Sequence, residues 1–178
     1  MNNVSRNLAE IAVEAVHREI SRFNKFPQRE YVIDDGMREL IPAKLGFAAD
    51  QQKSYIDLAR EGGVDITPEV IARIGGQSAD IIFNTDDGPQ IVENKLYDED
   101  WNPRAVKKDY DKIVAVNSYT RVGGYICLVV TDTHETCSWR IEKVQACLGQ
   151  DFDYVTEQHD SPDHVWKWCV AALKVAVN

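Results

Sequence analysis

The chain has 178 residues, 44% hydrophobic and 28% charged, which fits a single soluble domain over 1–178 whose core needs neither disulfides nor a structural metal. Twenty Lys and Arg against 29 Asp and Glu leave a formal net charge of -9, which argues against a protein that grips nucleic acid with its whole surface. The opening MNNVSRNLAE lacks the basic-then-apolar pattern of a secretion signal, and no run approaches the roughly 18 apolar residues of a membrane span, so the cytoplasm is the expected compartment.

Val4, Leu8, Ile11, Ala12, Ala15, Val16, Ile20 and Phe23 recur three and four apart and predict an amphipathic helix over 4–23. Pro27 and the triplet Asp34-Asp35-Gly36 read as breaks. Short helices are expected between Met37 and Glu61, stopped by Gly62-Gly63. EVIARI (69–74), Gly75-Gly76 and QSADIIFNT (77–85) read as two strands and a tight turn; the competing reading of EVIARI is a short helix capped by Thr67, with Pro68 first. QIVENKLY (90–97) is a further strand, and Asn102-Pro103 opens a helix to about Tyr119. GGYICLVVTDT (123–133) is an unbroken apolar run, as in a strand covered on both faces. A helix over about 135–148, a short strand over about 152–157 and a last helix started by Ser161, Pro162 and Asp163 complete the chain. The class is α/β, with a mixed central β-sheet flanked by helices.

Cys127, Cys137, Cys147 and Cys169 show no paired spacing and are expected as reduced, packed thiols. His17, His134, His159 and His164 share no ligand spacing, and Trp139, Trp166 and Trp168 are expected to pack, as is Trp101 in the core or at its rim, with stacking on a base as its alternative. Charge is uneven: RAVKKDYDK (104–112) and Arg121 are basic, whereas YDED (97–100) and 151–163 are acidic, a pattern that two solvated faces would also give.

The stretch SADIIFNTDDGPQIVENK (78–95) sets acids among isoleucine and valine. A hairpin turning at Asp87-Gly88, or through a looser loop from Asp86 to Pro89, places Asp80 opposite Lys95 and Ile82 opposite Glu93, all on one side. A slip of one residue would part Asp80 from Glu93. Two crowded carboxylates need a positive neighbour. Lys95 in a salt bridge with Asp80 would serve, and so would Mg²⁺, which is held through one or two acids and keeps the rest of its shell for water and phosphate. Such an ion polarises a phosphodiester and lowers the pKa of a bound water, with a lysine alongside to orient or deprotonate that water.

An acid at the start of one strand, then carboxylate-x-lysine on the next, then a helix and a buried strand resembles the PD-(D/E)XK nuclease superfamily, the restriction-endonuclease-like fold. Asp80 in SADIIF and Glu93-Asn94-Lys95 in IVENKL carry the resemblance. It implies a core of helix, three-stranded meander, helix and crossover strand over about 4–133, with 134–178 as an addition. It implies a metal-dependent hydrolase, an endo- or exodeoxyribonuclease using Mg²⁺ or Mn²⁺. Asp80 and Glu93 would be metal ligands, and Lys95 the general-base or water-orienting group. Members of the superfamily often add a glutamate from the first helix. Glu19 is the choice here, because it falls among Leu8, Ala12, Ala15 and Phe23, where an acid needs a partner; a place at the edge of the stripe, or pairing with Arg22 or Arg73, is the alternative.

Ala79 stands where the family's proline often sits. The helix after the lysine offers Lys107, Lys108 and Tyr110, but not the glutamine of related exonucleases. With Gln77, these three are the candidate nucleic-acid contacts for a DNA or RNA substrate. The fold is common in phage defence, toxins and repair, and the motif does not choose among them. The competing class is a non-catalytic protein-binding or assembly protein that keeps the fold. The acidic charge also raises the prospect of a basic protein partner, or of a homodimer around 104–121.

Overall fold

The computed structural model describes residues 4–50, 52–97, 102–120, 122–132 and 137–176. Trp101, Arg121, His134 and most of the acidic YDED stretch lie outside the described residues. Helix α1 (Val4–Phe23) follows its apolar spacing and buries Leu8, Ile11, Ala12, Ala15 and Val16. Helix α2 (Glu30–Leu45) contains Asp34, Asp35 and Gly36, so the expected break is corrected to helix. Gly36 has a packing reason for being there. A Cβ at this position would stand 2.9 Å from the Ala15 Cβ, so the missing side chain lets α1 and α2 approach closely.

Next come β1 (Ala49–Asp50), β2 (Lys53–Ser54), α3 (Tyr55–Glu61) and α4 (Pro68–Ile74). EVIARI, preferred as a strand, is therefore helical. The Thr67 hydroxyl accepts from the Val70 N–H at 3.4 Å and Pro68 stands in the first turn, while Val70 and Ile74, one turn apart, face inward and Ile71 faces out. The cap and the proline outweigh the β-branched composition. The remaining elements are β3 (Ser78–Ala79), β4 (Ile81–Thr85), β5 (Gly88–Tyr97), α5 (Pro103–Tyr119), β6 (Gly123–Asp132), α6 (Ser138–Leu148), β7 (Tyr154–Val155), β8 (His159–Asp160) and β9 (Lys167–Lys174).

The main sheet runs β1-β4-β5-β6-β9-β7, with β8 also paired to β9; β5 and β6 are parallel and the other pairs antiparallel. Helix α5 supplies the crossover between the parallel strands. The neighbours of β4 are β1 and β5, so the expected strand at 69–74 is replaced in the sheet by Ala49–Asp50. A ribbon of β2 and β3 stands apart. The last segment is also a correction, because 167–174 is a strand. Trp168, Val170 and Ala172 point into one core, and Cys169, Ala171 and Leu173 into the other. Ser161 and Asp163 close the turn before it, with the Ser161 N–H bonded to the Trp166 carbonyl at 2.9 Å. Serine, proline and aspartate favour helix starts and turns alike.

Two apolar cores flank the sheet. Helices α1 and α2 cover Ile81, Phe83, Val92, Cys127 and Val170, while α3 to α6 cover Ile82, Ile91, Ile126, Leu128 and Leu173. Burial on both faces explains the unbroken apolar run of β6. Helix α5 lies so close to β6 that a Cβ on Gly124 would come within 2.4 Å of the Ile113 Cγ2. None of the four cysteines is joined in a disulfide, and Cys127, Cys137 and Cys169 are buried. Among the described residues no helix is long and apolar enough to cross a membrane.

Candidate functional site

The hairpin register differs from the expected one in an informative way. Ile81 pairs with Val92 and Thr85 with Gly88, around a turn at Asp86-Asp87. One step further along this register, Asp80 meets Glu93 itself rather than Lys95. The shift keeps the parity of the strands, so Asp80, Glu93 and Lys95 still share one side of the sheet. The ladder ends at Ile81, and the Asp80 side chain takes over: its Oδ2 accepts from the Asn94 N–H at 3.1 Å. Beyond that point β5 has no β4 neighbour, and side chains from other elements fill the opening.

Glu93 is 2% exposed and accepts a hydrogen bond from the hydroxyl of Tyr55, the first residue of α3. Burial, and then the charge of Asp80, pushes the Glu93 pKa up to about 9. The facing carboxylates therefore hold a proton near neutral pH, on the more buried Glu93. Burial and the nearby Glu93 charge raise Tyr55 as well, which keeps its hydroxyl a donor.

Lys95 is 2.8 Å from Glu30 Oε2 and 3.1 Å from Asp109 Oδ2. Burial works against its charge, but Asp109 and Glu30 more than offset this and hold its pKa above the ordinary lysine value. Asp109, buried on α5, also pairs with Lys112 at 2.6 Å. From the other side of the sheet, Asp34 of α2 accepts from Asn94 Nδ2 at 2.7 Å. Burial and the Asp80 charge push the Asp34 pKa up to about 7, against the lowering effect of Asn94 and Arg38. Arg38 donates to the Asp80 carbonyl at 3.1 Å. Glu30, Asp34 and Arg38 are spaced four apart, so one stripe of α2 is aimed at the end of β4.

Five carboxyl groups thus surround Lys95, Arg38 and Lys112. Among the described residues no three His, Cys, Asp or Glu side chains form a group that could hold a metal ion. The donor set suited to Mg²⁺ is the Asp80–Glu93 pair, two hard carboxylates whose crowding a divalent charge would relieve.

Glu19 is not brought to this cluster. It lies half-buried beside Arg18, Arg22, Asp35 and Glu39 along a different groove between α1 and α2. The helix acid at Lys95 is Glu30, which the misread break at Asp34-Asp35-Gly36 concealed. Asp109 had a signal of its own. It stands in the apolar stripe of Val106, Ile113 and Val116, and the logic applied to Glu19 finds it there. Tyr55 carried no comparable signal.

Gln77, Lys107 and Lys108 line one open groove of 390 Å³ with Arg73, Arg104 and Lys112. Tyr110 does not join them as a free contact: its hydroxyl bonds Gln150 at 2.9 Å and its ring packs against the core. His17 and His159 stand 3.4 Å apart beside Trp168, away from the acids. Comparison with protein-family models, with curated proteins and with solved structures gives no match.

Proposed function

We propose that the chain is a metal-dependent nuclease of the PD-(D/E)XK type, hydrolysing phosphodiester bonds of DNA or RNA at the end of β4. One observation carries the reading: the β4–β5 register sets Asp80 opposite Glu93 and leaves Lys95 two residues on, on the same face. The sheet neighbours β1, β4, β5 and β6, with α2 before β1 and α5 before β6, support it: they match the strands and helices of the core that the motif implies, with β2, α3, α4 and β3 inserted between β1 and β4. In this arrangement Glu30, from the helix that precedes the first strand, replaces Glu19 as the third acid.

Mg²⁺ or Mn²⁺, bound at Asp80 and Glu93, would polarise the phosphodiester and acidify a water. The protein's own groups have separable parts. Glu93 must give up its proton to become a ligand, and Tyr55 steadies the carboxylate that results. Lys95 stays an ammonium between Glu30 and Asp109, which suits orienting a nucleophile and offsetting charge developing on the phosphoryl oxygens, and does not suit general-base catalysis. The test is cleavage of single-stranded, double-stranded and branched DNA and of RNA with Mg²⁺, Mn²⁺ or EDTA. Wild type should cleave at least one substrate in a metal-dependent way and Asp80→Ala should not. Wild type inert on all of them would overturn the proposal.

A second reading is an assembly or protein-binding module in which the acids are a buried structural network. Its support is the sealing of Glu93 and the occupation of Lys95 by two carboxylates. Stability that is unchanged by Mg²⁺, together with absence of cleavage, is the outcome this reading requires.

A further inference from the structure

The groove beside α4 and the first half of α5 is out of character for a chain of net charge -9: Arg73, Arg104, Lys107, Lys108 and Lys112 line it, and Asp111 is the one carboxylate among its described residues. Arg104, Lys108 and Lys112 recur at intervals of four on α5, a row about 12 Å long at 1.5 Å per residue. Lys107 is tied to Asp111 and Lys112 to Asp109, while Arg73 lies over the Tyr119 ring. Arg104 and Lys108 are exposed and form no ion pair with another described residue. On the groove wall, Gln77 Oε1 is buried with no hydrogen-bond partner among the described residues, and a turn of the side chain would present it to a sugar hydroxyl or base amino group.

The groove is coupled to the acid cluster by two short paths. The Gln77 carbonyl accepts from the N–H of Tyr55, whose hydroxyl reaches Glu93. Lys112 shares Asp109 with Lys95. A chain of phosphates lying along the α5 row would therefore run toward Asp80 and Glu93.

We propose that this groove is the track for one strand of nucleic acid, bound through its phosphates as a single strand. With these five cations set aside, the rest of the molecule is more acidic than the whole, and a duplex would press its second backbone against that surface. A lone strand meets the basic row. The destination of the strand rests on the nuclease reading, but its binding does not.

Fluorescence anisotropy with labelled single-stranded DNA, single-stranded RNA and duplex DNA in EDTA tests the binding without cleavage. Three phosphates neutralised by Arg73, Arg104 and Lys108 give a slope of log K against log salt of about -2, or a roughly 15-fold loss between 50 and 200 mM salt. Arg104→Glu with Lys108→Glu should weaken single-strand binding at least tenfold, while Asp80→Ala should bind no less tightly than wild type; thermal melts confirm that both variants fold. DNA and RNA held equally would assign recognition to phosphate, and tighter RNA binding that Gln77→Ala removes would add the 2′-hydroxyl; either result supports the track. Single strands that do not bind at low salt, binding indifferent to the charge reversal, or duplex preferred over single strand would overturn it. If the strand binds as expected but wild type cleaves nothing with Mg²⁺, the nuclease reading alone fails.

Discussion

Replacing Glu93 with Gln isolates the cost of keeping an acid in a sealed position opposite Asp80. The Glu93 pKa is about 9 in the folded chain, against 4.5 for an ordinary glutamate. The folded state therefore holds a proton that the unfolded chain releases above pH 4.5, so wild-type stability falls as pH rises from there and levels off beyond pH 9. At pH 7 the gap is between two and three pH units, or about 3 kcal/mol, and at pH 5 it is below about 1 kcal/mol. Gln keeps the oxygen that accepts from Tyr55 and never ionises. Glu93→Gln should therefore melt about 6–12 °C above wild type at pH 7, since each kcal/mol moves the midpoint of a chain this size by about 2–4 °C. The gain should shrink almost to nothing at pH 5. Asp34, pushed up to about 7, adds a slope of the same sign in both proteins below that pH. Melts across pH 4.5 to 9 in EDTA provide the comparison. Parallel curves, or a variant less stable than wild type at pH 8, would refute the placement of the proton on Glu93.

Lys95→Ala should abolish Mg²⁺-stimulated cleavage, by at least about 100-fold, and should also lower stability by about 1–3 kcal/mol, because Asp109 would keep only Lys112; cleavage at the wild-type rate would remove Lys95 from the mechanism. Gly124→Ala forces a methyl into Ile113 and should destabilise by about 1–3 kcal/mol in urea unfolding, with a neutral outcome arguing against the close α5–β6 approach.

What the sequence disclosed of this site depended on period and parity. The alternation of 78–95 placed Asp80, Glu93 and Lys95 on one face, and a register error of one rung did not matter because the sum of paired positions moved by two. The continuous run of β6 and the stripe of α1 were equally plain. The failures share a cause in residues that serve more than one local structure. Asp34-Asp35-Gly36 has turn composition, yet Gly36 is where α2 presses on Ala15, and misreading it hid the row of Glu30, Asp34 and Arg38. Ser161-Pro162-Asp163 has helix-start composition, yet it turns the chain into β9. KWCVAALK, apolar on both faces, has no period that separates a buried strand from a buried helix. Tyr55 enters through a tertiary contact across the sheet face, which no local pattern announces.

Calorimetric titration of the protein with Mg²⁺ or Mn²⁺, in buffers of different ionisation enthalpy, asks whether Asp80 and Glu93 together hold a divalent cation. At pH 7 Glu93 is protonated, so an ion that uses its carboxylate must displace that proton. Saturable binding with close to one proton released per ion is expected at pH 7, with no comparable binding in Asp80→Ala. Binding without proton release, or no binding at millimolar metal, would contradict it.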